Sequence, residues 1–439
     1  MTNDESRTRH DKLHHDLSPV VIHRPSFVIR HSSFPLSLLV LCLGLGCGPR
    51  ENADRGAEGF WWPEEPVSGV QKRQEVEAKL VRVREFLRAE KIGGLLIGRA
   101  ENFAWVSAGG DNRENSLLFL RDDGKNFLIG GEGPARRLLA EDLKGLDFEP
   151  KVVPWYRAGE ESTSVRSVVA EVAGGREFGS DTPIGGARPV EAGIRALRAP
   201  LTPSEVTKYR WLGKTSARVM GEVARGIRPD MTERGIEAIA SAALATRAIQ
   251  AVDVRVAVDG RISRFPDAPP SDSAKLERFV RIGVRARRWG MDVALTRCIH
   301  FGALPDDVKR ELEAAARVCA GYWARTLQGA RAGTVLQDAL ADYAAAGFPD
   351  EWKTRDQGGA IGYGGWDWIA LPGSQERVLS EQTFAWHPEI RGVGMEDTVL
   401  LLGENLEILT QIEDWPVVEA KSLGRIYRLP AILIRQKLK

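Results

Sequence analysis

Histidine and cysteine are scarce, and most of what there is lies at one end. The chain has 439 residues, with 4 cysteines and 7 histidines. Cys42 and Cys47 fall in an N-terminal apolar stretch. The other two, Cys298 and Cys319, are too sparse for a disulfide framework and lack metal-ligand spacing. His10, His14, His15, His23 and His31 belong to a basic leader. Only His300 and His387 follow it, so any imidazole chemistry in the body of the chain rests on those two. Charge of one sign is also missing. A formal net charge of +1 excludes the global basic field expected of a nucleic-acid binder.

The apolar run from Phe34 to Gly46 spans about 13 residues, the size of a signal-peptide core and too short to cross a bilayer. It ends in Gly44-Leu45-Gly46-Cys47, which resembles a bacterial lipobox with Gly44 where Leu is usual. Lipid attachment at Cys47 is the leading expectation. Ordinary secretory cleavage and an uncleaved anchor stay open. Residues 1–47 then read as a signal peptide and 48–75 as a tether. The protein would be exported and held at the membrane of a bacterial envelope by its lipid alone.

The whole chain is 43% hydrophobic and 28% charged, the composition of a soluble globular protein, with length for two or three domains. Val76, Leu80, Val83 and Leu87 recur at helical spacing. Gly94 to Ile97 reads as a short buried strand, and Leu117–Leu120 with Phe127–Ile129 as a hairpin around Asp123-Gly124. A new unit starts at Thr202-Pro203-Ser204-Glu205, a capping box with Pro at the first helical position. Its long helix turns at Gly226 and restarts after Thr232. About a hundred residues later, Gly329 to Thr334 repeats the same helix–turn–helix grammar, which suggests a pseudo-twofold domain. Strands are expected at 255–258, 279–286 and 291–301, at 384–386, in a strand ending at Glu396, and in a hairpin over 399–409. The last residues, 420–439, carry no usable motif.

In this order, several short motifs resemble the family of creatinase, aminopeptidase P, prolidase and methionine aminopeptidase. They are Arg228-Pro229-Asp230-Met231-Thr232-Glu233, Gly290-Met291-Asp292-Val293-Ala294-Leu295-Thr296-Arg297 and Met395-Glu396-Asp397-Thr398-Val399-Leu400. Glu101-Asn102-Phe103-Ala104-Trp105 resembles part of the family's N-terminal domain. The resemblance covers roughly residues 76–419. It implies an α+β protein: a creatinase-type α/β domain over 76–200, then a pita-bread domain over 201–419 with pseudo-twofold α/β halves. It also implies a homodimer.

Hydrolases of this family hold two divalent metals through two Asp, one His and two Glu, and the metals activate a water. The matching positions here are Gly283, Ala294, Gly359, His387 and Glu396. One ligand of five is kept, so no metal cofactor is expected. On the strand through Gly283, side chains alternate faces, which puts Arg281, Arg285 and Arg287 on the former carboxylate face. Such a wall repels metal and welcomes an anion, as a small molecule or a peptide.

The candidate site residues follow. His387 and Glu396 are candidates for acid–base work, and His300 shares the strand parity of Ala294. Arg285 is the candidate anion ligand. Asp267 falls near the family's substrate-side His, Asp292 two places before Ala294, and Tyr363, Trp366 and Asp367 where the family places substrate contacts. Gly358 and Gly359 could form a backbone nest or a plain tight loop. Three function classes stay open. One is a metal-independent hydrolase, for which creatinase is the precedent by resemblance. Another is a non-catalytic binder, like the peptidase-like domains of some histone chaperones. The third is a metallopeptidase with a site rebuilt from His387, Glu396, Asp292 and Asp267.

Overall fold

The first helix among the described residues begins at a capping box, in which Ser68 Oγ accepts from Gln71 N at 3.3 Å and Gln71 Oε1 accepts from Ser68 N at 2.8 Å. The computed structural model describes residues 65–157, 160, 164–265 and 269–436. The leader with Cys42, Cys47 and its five histidines, most of the tether, and Asp267 lie outside the described residues.

The capped helix is α1 (Gly69–Glu90), which buries Val76, Val83 and Leu87 as its spacing predicts. After it come β1 (Gly94–Ile97), α2 (Ala100–Val106), β2 (Leu117–Arg121), β3 (Asn126–Gly130) and α3 (Glu132–Ala140). Then follow β4 (Glu149–Val152), α4 (Val165–Ala173), β5 (Phe178–Ser180), β6 (Ala187–Pro189) and α5 (Glu191–Arg198). The strands make one mixed sheet in the order β4-β3-β2-β1-β5-β6. The expected hairpin is present, with Leu118 opposite Leu128.

α6 (Pro203–Gly226) starts at the predicted capping box, Thr202 N donating to Glu205 Oε2 at 2.7 Å. α7 (Glu233–Ala245) starts at Thr232, whose hydroxyl accepts from Gly235 N at 3.1 Å. β7 (Gln250–Val258), α8 (Gly260–Arg264), β8 (Phe279–Arg288) and β9 (Met291–Phe301) complete the first half. The second half has α9 (Asp306–Arg325), α10 (Ala332–Ala345), β10 (Gly358–Gly362), β11 (Gly365–Ile369) and β12 (Gln382–Trp386). Short β13 (Glu389–Ile390) and β14 (Val393–Gly394) lead to β15 (Glu396–Leu402) and β16 (Asn405–Ile408). All but the short β13–β14 pair join one sheet with the main path β11-β10-β12-β15-β9-β8-β7. Each half has its own apolar core, one including residues of α6, α7 and β7–β9, the other residues of α9, α10, β10, β12 and β15.

The halves meet where β9 pairs with β15, Thr296 opposite Glu396 and Leu295 opposite Asp397. Arg297 fastens this seam. Its guanidinium, 2% exposed, donates to Asp397 Oδ1 at 2.7 Å, Thr410 O at 2.8 Å and Glu396 O at 3.1 Å. Two of the motif residues that carry the family resemblance therefore serve the fold. Glu396 opens β15 instead of ending a strand, because the chain between Trp386 and Met395 is taken up by the small β13–β14 hairpin.

The tail from residue 420, which shows no motif in sequence, is structured as far as Arg435. β17 (Val417–Ser422) and β18 (Arg425–Pro430) form a hairpin, and β19 (Leu433–Arg435) adds in parallel to β9. The hairpin packs through Tyr427, whose ring meets Trp323 of α9 edge-on at 6.1 Å. Short strands of alternating charge carry too little apolar signal to be read as strands.

A fully buried ionic cluster ties α1 to α6. Lys79 Nζ lies 2.6 Å from Glu75 and 2.8 Å from Glu205, and Lys208 Nζ lies 2.8 Å from Glu75. Tyr363 donates to Glu205 at 2.6 Å, and the lysines also donate to the carbonyls of Trp105 and Ala108. Two cations and two anions balance one another, and the remaining donors find backbone partners, as burial of charge requires.

Candidate active site

The site lies on the sheet at the seam between the halves. Its floor follows from strand register. Arg255 of β7 faces Gly283 of β8, Gly283 faces Thr296 of β9, and Thr296 faces Glu396 of β15. Opposed residues share a face, so the row presents a cation, a gap, a hydroxyl and a carboxylate in turn. Arg281 and Arg285 flank the gap along β8, on the face that strand alternation predicts. Gly283, Ala294, His387 and Glu396, four of the five positions matched to the family's ligands, line a single cavity of about 230 Å³.

His387 follows β12 and is 5% exposed. Its Nε2 sits 2.9 Å from Asp356 Oδ1, and its Nδ1 lies 3.4 Å from Glu396 Oε1, at ion-pair distance but without a hydrogen bond's alignment. Trp366 meets the imidazole edge-on at 5.5 Å. Thr296 donates to the other Glu396 oxygen at 2.8 Å. The loop before β10 positions Asp356. Gly358 N donates to it at 3.1 Å, and the neighbouring Gln357 is locked by Tyr343 Oη at 2.6 Å and by the Arg355 carbonyl at 3.0 Å.

Burial and the Arg355 guanidinium pull the His387 pKa down, but Asp356 and Glu396 outweigh them and it is raised. Burial pushes Asp356 up, yet His387, the Gly358 amide and Arg355 bring it down to about 2. Burial likewise raises Glu396, and His387, Arg355 and Thr296 more than reverse it. Between the ordinary carboxylate range and about pH 6.5 the trio is thus an imidazolium between two carboxylates. A raised His pKa stabilises the fold below the unfolded value of 6.5, and that contribution is lost as pH rises through the folded pKa. The lowered carboxylates stabilise above their unfolded values, 3.8 and 4.5, and that contribution is lost as pH falls through the folded ones. The stability difference between wild type and His387→Gln is therefore expected to be largest from about pH 4.5 to 6.5 and to shrink above. Urea unfolding of both proteins across that range checks it.

The other predicted residues separate. Arg285 and Trp366 line the cavity; Tyr363, Asp367, Asp292 and His300 do not. Tyr363 belongs to the buried ionic cluster. Asp367, next to Trp366 on β11, is buried against Arg198 at 2.9 Å. Asp292 is fully buried, bound by Arg287 and 3.7 Å from Arg285. Arg287 is thereby drawn out of the arginine wall. His300 is held by the Gly302 carbonyl at 3.2 Å and lies against Phe279. It shares the parity of Ala294, but six residues along a strand is about 20 Å, beyond the cavity's reach. Gly358 and Gly359 open strand β10, and the Gly358 amide is taken by Asp356. A Cβ on them would stand 2.1 Å from Ala385 O and 2.3 Å from Trp368 O, so close strand packing requires both glycines.

Sequence reading missed Asp356, Arg355, Arg255 and Glu389. Glu389 forms a close ion pair with Arg281, both 3% exposed, and lies 3.3 Å from Arg355. The one available signal was the charged pair Arg355-Asp356 directly before Gln357-Gly358-Gly359. Among the described residues, no group of three or more His, Cys, Asp or Glu side chains is arranged to hold a metal ion.

Dipeptidase PepE from Mycobacterium ulcerans superposes on 83% of this chain and 99% of its own, with a TM-score of 0.67 and 16% identity. The prolidase from Pyrococcus horikoshii OT3 covers 76% and 99%, at 0.62 and 17%. The chain has the pita-bread fold. The N-terminal domain of the FACT complex subunit SPT16 from Cicer arietinum also matches, covering 77% and 97%, at 0.60 and 12% identity. No family model and no curated protein matches the sequence. At these identities the pita-bread likeness fixes the fold, and the chemistry has to come from the site.

Proposed function

We propose that the protein is a metal-independent hydrolase of a small anionic amide or amidine, with His387 and Glu396 as its acid–base pair. The observation that supports this is the line Asp356–His387–Glu396 along one side of a cavity whose other side is arginine. In the reaction, ionised Glu396 takes a proton from a water as its oxygen adds to the ligand's carbonyl or amidine carbon. The C–N bond then breaks, and the His387 imidazolium gives its proton to the departing nitrogen. The proton on Glu396 returns to His387, which resets the pair. Asp356 keeps the imidazole charged and oriented, and Arg285 orients the anionic substrate.

The donor set does not suit the two divalent metals of the fold's hydrolases. Gly283 and Ala294 offer no donor atom, and the remaining carboxylates are engaged by His387 and the arginines. At an effective dielectric of about 20, like unit charges 4 Å apart repel by roughly 4 kcal/mol, and a dication against guanidinium doubles that. Export through Cys47 and homodimerisation belong to the same proposal, supported by the leader's pattern and by the family resemblance. A panel of carboxylate-bearing amides and amidines, assayed for release of ammonia or amine by wild type and by His387→Gln, tests the reading. Turnover that depends on His387 supports it. Tight binding with no turnover in either protein favours the non-catalytic binder.

A further inference from the structure

We propose that the gap over Gly283 is a carboxylate subsite, which holds the anionic end of the ligand. The proposal rests on the hydrolytic reading only for what happens at the ligand's other end. Three guanidinium-bearing side chains surround one residue that has no side chain: Arg281 and Arg285 along β8, and Arg255 directly across on β7. The fourth side is the Thr296 hydroxyl. The gap is open, since a Cβ built on Gly283 would meet only Thr296 Oγ1, at 3.4 Å.

Each arginine already answers a carboxylate, which holds its fork in place. Arg281 pairs with Glu389, Arg255 donates to Asp253 at 2.9 Å, and Arg285 lies 3.7 Å from Asp292. The pairing is incomplete. Arg281 is 3% exposed and lines the cavity, yet its Nη2 is buried without a hydrogen-bond partner, and Arg285 Nε is in the same state. Both side chains line the cavity, so a carboxylate seated over Gly283 adds an acceptor beside two guanidinium groups whose own pairing is incomplete. A planar guanidinium fork matches a carboxylate in geometry as well as charge. Asp253 and Glu389 line the same cavity and disfavour a dianion, which selects a monoanionic carboxylate over a phosphate.

The test is thermal unfolding of the full-length protein with acetate added at constant ionic strength, chloride making up the balance. Wild type is expected to show a saturable rise in Tm with acetate and a smaller one with phosphate. Gly283→Asp supplies a tethered carboxylate. It is expected to melt higher than both wild type and Gly283→Asn without acetate, and to lose the acetate response. Arg285→Met, which leaves Asp292 paired with Arg287, is expected to raise the acetate midpoint about tenfold, since a charged hydrogen bond is lost. His387→Gln is expected to keep the acetate response, which separates the subsite from hydrolysis. No acetate response in wild type overturns the subsite, whatever the turnover assays give. So does a Gly283→Asp protein that responds to acetate like wild type or melts no higher than Gly283→Asn.

Discussion

Lys79→Met is expected to cost roughly 3–5 kcal/mol of stability, because it leaves buried carboxylates without their cation. Glu75, Lys79, Glu205 and Lys208 are at most 1–2% exposed, too dry for water to replace the missing partner. Glu205→Gln alone should cost less, since Gln still completes the capping box with Thr202. Combined with Lys79→Met, it removes the stranded charge, so the double variant should be less destabilised than the sum of the singles. Urea unfolding of the four proteins measures the coupling. A cost below about 1 kcal/mol for Lys79→Met would mean that water reaches the cluster. The cluster also bears on the site. Tyr363, bound to Glu205, leads into β11 and so to Trp366, which lines the cavity.

His387→Gln is expected to lower turnover of any true substrate by about 10² to 10⁴, the usual contribution of a positioned acid–base group. Asp356→Asn should cost less and act differently. It leaves the imidazole in place but removes the carboxylate that raises its pKa, so the alkaline limb of the pH–rate profile should move to lower pH. A profile that only scales down, with no shift, would make Asp356 structural. Glu396→Gln should lose turnover and keep ligand binding, because the arginines stand on β8 and β7, separated from Glu396 by Thr296 of β9.

The fold was legible where local rules agree with tertiary ones. Capping boxes, turn glycines and apolar spacing placed α1, α6, α7 and the hairpin β2–β3, and the order of short motifs gave the architecture. The tail was not legible, because β17 and β18 owe their place to α9 more than to their own pattern. In the site, alternation along β8 put Arg281 and Arg285 on the correct face. It could not show that Asp292 would draw Arg287 aside. Arg255 needed the register of β7, which passes through an irregularity between Ala251 and Asp253. Asp356 meets His387 from 31 positions away, through a loop with no periodicity. Tyr363, Asp367 and His300 are polar groups satisfied within the fold, and sequence cannot separate these from polar groups kept for a ligand.

We propose that an arginine-walled, metal-independent site stands where the fold's hydrolases hold metal. Metal content after loading the protein with manganese, cobalt or zinc tests it most directly. No near-stoichiometric metal is expected after desalting, and Tm is expected to be unchanged by chelator. Metal bound near one or two equivalents, and lost in His387→Ala or Glu396→Ala, would contradict it and restore a metallopeptidase.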